Sequence, residues 1–110
     1  MTTPKPPIRL TLATCRVLDL LLEADSEDPH WGYRICDQAE LGPGTVYPIL
    51  ERLEEVGWIT GEWEQMTPAN RPRRRVYTIS DTGCREYSKA LARKKNRGIF
   101  PARLRTAGDT

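Results

Sequence analysis

Leu41-Gly42-Pro43-Gly44 is the segment that most restricts how this chain can fold. Two glycines around a proline neither continue a helix in mid-course nor pair inside a sheet, so the chain must turn here. Beyond the turn, Val46, Ile49, Leu50, Leu53 and Val56 recur at steps of three, one, three and three. That spacing lines one face of an α-helix. Gly57 follows where a helix stop belongs. The pattern predicts a helix running from the turn to about Val56. Pro48 removes one backbone donor and crowds the carbonyl four residues back, so the start of this helix should be distorted.

The turn therefore joins two helices. Ahead of it, a second helix is predicted from about Pro29 or His30 to Glu40, with Asp28 as cap, Pro29 in the first position, and Ile35 and Ala39 on one face. A first helix spans Thr11 to Glu23, with Thr11 as N-cap and a stripe of Cys15, Leu18, Leu21 and Leu22. After Gly57, residues Trp58 to Glu64 and Arg75 to Ile79 are rich in aromatic and β-branched side chains and read as antiparallel strands. Pro68, Asn70 and Pro72 mark the stretch between them, Gln65 to Arg74, as a long hairpin loop. Ser80 then caps a fourth helix that carries Cys84, Tyr87 and Leu91 and ends in Arg93-Lys94-Lys95. The predicted class is mainly α with a small β-hairpin. Residues 1–9 form an N-terminal arm, 10–95 one domain, and 96–110 a basic C-terminal tail.

Charge is distributed unevenly. The chain of 110 residues has a net charge of only +2, but residues 1–65 hold five basic side chains against twelve acidic ones. Residues 66–110 hold twelve basic against three acidic. A basic half points to a polyanionic partner. No charged start followed by an apolar stretch opens the sequence, and no apolar run is long enough to span a bilayer, so the cytoplasm is the expected compartment and no membrane partner is expected. Cys15, Cys36 and Cys84 are widely spaced, form no CxxC pair, and only His30 could join them as a soft metal ligand, so they read as small core hydrophobes, with a thiol redox switch or a metal sensor as the alternative. With one histidine and no nucleophile paired to a base at a recognisable spacing, nothing suggests an enzyme, a cofactor or a metal site.

Helix, helix, turn, helix, hairpin, helix is the winged helix-turn-helix plan, a double-stranded DNA-binding domain. Such domains lay the helix after the turn in the major groove and let the hairpin wing reach the backbone or minor groove beside it. The outer face and first turn of the third helix display Thr45, Tyr47, Pro48, Glu51 and Arg52, and Gly44 allows a phosphate to approach the positive helix end. Glu54 and Glu55 sit in its last turn, where they can point away from a duplex. In the wing, Arg71, Arg73, Arg74 and Arg75 fall within five residues with no acid among them, and arginine suits phosphate and narrow grooves.

Several stretches together resemble the PadR family of transcriptional regulators. His30-Trp31-Gly32-Tyr33-Arg34-Ile35 is similar to that family's His-Gly-Tyr motif, with Trp31 inserted between His and Gly. Leu41 to Glu54, with its Pro43-Gly44-Thr45-Val46-Tyr47-Pro48 core, is very close to the signature around the recognition helix. Gly57-Trp58-Ile59 and Arg71 to Gly83 resemble the step into the wing and the entry to the last helix, so the match covers about residues 10–92. The resemblance implies a homodimeric DNA-binding repressor whose first and last helices build the dimer. Thr45, Tyr47 and Arg52 would meet DNA from the recognition helix, Tyr33 would touch the backbone, and Arg73, Arg74 and Arg75 would reach in from the wing. A small-molecule effector is left open. The alternative is a winged-helix protein-interaction module without operator recognition, motivated by the acidic first half.

Overall fold

The computed structural model describes residues 8–25, 27–65 and 68–96. In chain order these form α1 (Leu12–Glu23), β1 (His30–Trp31), α2 (Gly32–Ala39), α3 (Pro43–Glu55), β2 (Ile59–Trp63), β3 (Arg75–Ile79) and α4 (Asp81–Asn96). The strands pair antiparallel in the order β1-β3-β2. Residues 1–7 of the expected arm, 66–67 of the hairpin loop, and the tail after Asn96 lie outside the described residues.

The first helix begins as its sequence requires. The Thr11 hydroxyl accepts from the Thr14 amide at 3.1 Å, satisfying one of the donors left over at a helix start. Its buried stripe differs by one residue from expectation: Val17 is buried with Cys15, Leu18 and Leu21, while Leu22 is 48% exposed. Each residue turns about 100° around the axis, which carries Leu22 past the face that Leu18 and Leu21 share.

The start of the second helix departs further. His30 and Trp31 do not open α2 but pair with Tyr77 and Val76 as a short strand. The helix begins only at Gly32, with Trp31 at its N-cap and no side-chain cap. Asp28 is no cap; it forms an ion pair with Arg34, while the Asp25 carboxylate holds the amides of Glu27 and Asp28 at 2.9 and 2.8 Å. Local cap signals were outweighed by a pairing with residues more than forty positions away, which gives the backbone groups of these two residues partners in β3.

The turn is shorter than its four residues suggest. Gly42 is the N-cap and Pro43 takes the first helical position, where its missing N–H is not needed. α3 then runs in one piece from Pro43 to Glu55 through Pro48. At its end, Gly57 adopts φ +81°, the left-handed region in which glycine carries no side-chain penalty. The Trp58 amide reaches back to the Leu53 carbonyl at 3.0 Å and the Gly57 amide to Glu54 at 3.1 Å, a paired stop that aims the chain into β2.

The core lies between the three N-terminal helices and the sheet. Val17, Leu18, Leu21, Ile35, Val46, Leu50, Leu53 and Ile59 are fully buried, each stabilising by about 1.5–3 kcal/mol. The Ser80 hydroxyl accepts from the Gly83 amide at 3.0 Å, which caps α4 as expected, and donates to the Gly57 carbonyl at 2.6 Å, which ties the helix to the end of α3. Further along α4, the Tyr87 hydroxyl donates to Asp19 at 2.7 Å and Lys94 donates to the Leu10 carbonyl. Cys15 and Cys36 are buried, Cys84 is half-buried, and no disulfide joins them. Burial pushes the Cys36 thiol up, away from thiolate chemistry. His30 is a satisfied core residue, 3% exposed, with Nε2 2.9 Å from the Gln38 side-chain oxygen. Among the described residues no group of three metal-ligating side chains comes together, and no helix is long and apolar enough to cross a membrane.

Candidate nucleic-acid interface

Thr45, Gly44 and Pro43 form the exposed opening of α3. The Thr45 and Val46 amides both turn inward to the Gly42 carbonyl at 3.0 Å. Pro43, Gly44 and Thr45 are exposed among the described residues, so the first turn of the helix and the Thr45 side chain face solvent. From here the predicted residues divide between two flanks, because steps of 100° separate them around the axis. Tyr47 and, seven residues on, Glu54 face the wing. Pro48 and Arg52 face the opposite side, where they line a groove with Ile8, Arg9, Thr11 and Thr14. Arg9, expected in the N-terminal arm, thus lines the same groove as Arg52 on the far flank of α3. Glu51 and Arg52 are both exposed and make no ion pair with each other.

On the wing side lies a cleft of about 620 Å³. Tyr33 from the first turn of α2 and Tyr47 from α3 form one wall, and Arg71 to Arg75 with Trp63 form the other. Tyr33 is 75% exposed and Tyr47 40% exposed. The Tyr47 ring lies directly over Gly32, where an added Cβ would come within 2.2 Å of the hydroxyl. Burial, followed by the neighbouring Cys36 and Tyr33, pushes the Tyr47 phenol up, so it stays a neutral donor at physiological pH.

The wing arginines are held, each differently. Arg71 makes a two-pronged pair with the Glu64 carboxylate at 2.8 and 3.1 Å. The same carboxylate accepts from the Arg74 amide at 3.0 Å, and the Glu64 carbonyl accepts from Arg73 at 2.7 and 3.0 Å. Arg71 first, and then the Arg74 amide, hold the Glu64 carboxyl down at about 2 despite a smaller opposing effect of burial. Arg75 turns back to α3 and pairs with Glu54 at 2.6 Å, its guanidinium also lying 5.6 Å from the Trp63 ring centre. Arg74 stacks on Trp31 at 4.0 Å from the ring centre.

Two sequence expectations change here. Glu54 does not point away from the candidate interface but occupies its edge, because a salt bridge to Arg75 is available there. The arginine run, though it holds no acid of its own, does not stand clear of acids either, since Glu64 closes the base of the loop. The hairpin register that pairs Ile59 with Ile79 and Trp63 with Arg75 carries Glu64 opposite Arg74. That register was the signal by which Glu64 could have been found. Trp31, Trp63 and Arg9 join the candidate residues through tertiary placement alone.

A helix–turn–helix whose second helix is open at its N-terminal end, flanked by a cationic β-hairpin, defines a winged helix-turn-helix protein. The model of the transcriptional regulator PadR-like family matches residues 20–89, and the chain belongs to that family. Among solved structures, a PadR-like transcription factor from Bacteroides fragilis superposes with TM-score 0.60 at 25% identity, over 79% of this chain and 82% of that one. A PadR family regulator from Eggerthella lenta gives TM-score 0.58 at 26% identity, over 80% and 77%. The PadR protein of Bacillus subtilis, solved in complex with operator DNA, shares the fold with TM-score 0.59 at 21% identity; the match covers 74% of this chain and 47% of that one. No curated protein sequence matches the chain.

Proposed function

We propose that the chain is a sequence-specific double-stranded DNA-binding regulator, acting in the cytoplasm as a homodimeric repressor. The observation that carries this reading is the open first turn of α3, where Thr45 is exposed and Tyr47, two residues on, shares one cleft with the wing arginines. The helix end would enter the major groove, where Thr45 and Tyr47 meet base edges. Gly44 would let a phosphate approach the positive end of α3. Tyr33 would bond the backbone beside it, and Arg73, Arg74 and Arg75 would grip the strand next to the wing, with Arg71 bracing their loop. Pro48 and Arg52 would face the backbone on the other flank. The operator complex of the Bacillus subtilis relative supports the same use of the fold.

The homodimer of this reading places two copies on a two-fold site. Leu12 and Leu22 stay exposed on α1, 57% and 48%, which suits a first helix that is covered by a partner. Two copies of α3 would then lie about 34 Å apart, in successive major grooves. A gel-shift titration tests the reading. Binding to a selected duplex that survives excess competitor DNA supports a regulator. Binding that any competitor abolishes equally would leave a protein-interaction module instead.

A further inference from the structure

Of the four wing arginines, three spend donors on the protein itself. Arg71 and Arg75 are paired with carboxylates and Arg73 with a backbone carbonyl. The Arg74 guanidinium makes no hydrogen bond to the described residues; its contact is with the face of Trp31, 4.0 Å from the ring centre. Stacking occupies the flat face of a guanidinium and leaves its in-plane N–H groups pointing outward. Those are the groups a phosphate accepts from.

Trp31 is placed for this by the sheet. Paired with Val76 across β1 and β3, it sits on the same face as Val76 and as Arg74, two residues earlier on the wing. It is also the N-cap of α2, one residue from Gly32 and two from Tyr33. Arg34 comes over the same ring at 5.3 Å and is anchored by Asp28. One indole thus links the wing to the start of α2, with a guanidinium contributed from each.

From this arrangement we infer that Trp31 is a positioning residue that holds the Arg74 guanidinium, edge outward, to grip a DNA phosphate between the wing and α2. The inference rests on the DNA-binding reading above. A flexible arginine must be ordered on binding, at a cost in side-chain entropy; one laid on an indole is ordered beforehand. A chain with no ring at this position would need to supply that order at the moment of binding.

The test is a fluorescence-anisotropy titration of the full chain against a 30-base-pair duplex of random sequence, repeated from low to high salt. Trp31→Leu is expected to weaken binding by about threefold to tenfold and to reduce the salt slope by about one. Trp31→Phe should recover most of both, because a ring face remains. Arg74→Ala should cause the same loss as Trp31→Leu, and combining them should add little, as expected of residues acting through one contact. A purely structural role for Trp31 would lower the melting temperature while leaving the slope unchanged and the two losses additive; that outcome overturns the inference. Failure of the wild-type chain to bind any duplex would instead overturn the DNA-binding reading on which it stands.

Discussion

The hydroxyl of Tyr47 lies over the bare Cα of Gly32, so closely that a Cβ there would stand 2.2 Å from it. The bare Cα lets α2 and α3 approach closely at this point. It also leaves room for the Tyr47 ring at the edge of the cleft, so Gly32 bears on both the packing of the two helices and the placing of a proposed base-reading side chain.

Gly32→Ala is therefore expected to displace Tyr47. The overpacking should cost about 1–3 kcal/mol of stability, offset in part by the better helix propensity of alanine. Chemical denaturation reads the first effect. The second is a larger loss of affinity for a selected operator than for random duplex, read by competition binding. Equal losses on both would mean that Tyr47 serves only to pack.

Glu54 competes with any phosphate for Arg75. Replacing it with glutamine keeps the shape but removes the charge. Binding to DNA of any sequence should tighten at low salt, and the salt slope should steepen by about one as a further arginine releases counterions. An unchanged slope would remove Arg75 from the interface.

The wing should respond to acid. The Glu64 carboxyl is held at about 2 in the folded chain by Arg71 and the Arg74 amide. A carboxyl depressed on folding contributes stability that is complete above its unfolded value, about 4.3. That contribution fades as pH falls from there through about 2. Glu64→Gln should consequently be less stable than wild type at pH 7, with the difference closing over that window. Paired denaturation curves across the range measure this, and a difference that stays constant with pH would place the stabilisation elsewhere.

Tyr87→Phe removes the bond to Asp19 that fastens α4 to α1. Because Asp19 is exposed and can turn to water, the loss should be modest, about 0.5–1.5 kcal/mol. Hydrogen exchange should show α4 amides opening more readily while the α3 amides hardly change. An unaltered exchange pattern would show that Tyr87 is anchored by its buried ring alone.

The sequence made local signals readable and long-range ones obscure. Thr11, Ser80 and Gly57 act within a few residues of themselves: Thr11 and Ser80 start their helices, and Gly57 stops one, where the sequence places them. The α3 stripe is equally visible because helical spacing is a local property. His30 and Trp31 look like the first turn of a helix until β3 is placed beside them, and no neighbouring residue announces that pairing. The wing arginines are conspicuous as charge, but their separate fates depend on Glu64, Glu54 and Trp31, which are near them only once the hairpin has closed. Tyr33, Tyr47 and Arg71 to Arg75 were brought to one cleft, whereas Arg52 and Pro48 lie on the opposite flank of α3. That division follows from the angular positions of Tyr47 and Arg52 on the helix and was within reach of the sequence.

DNA reading by α3 is tested most directly by selection of duplexes from a random pool by the intact chain. The expected product is an enriched inverted repeat with half-sites about one helical turn apart, with loss of that enrichment when Tyr47 is replaced by alanine. A pool that is retained on the protein yet emerges with no sequence in common would contradict it.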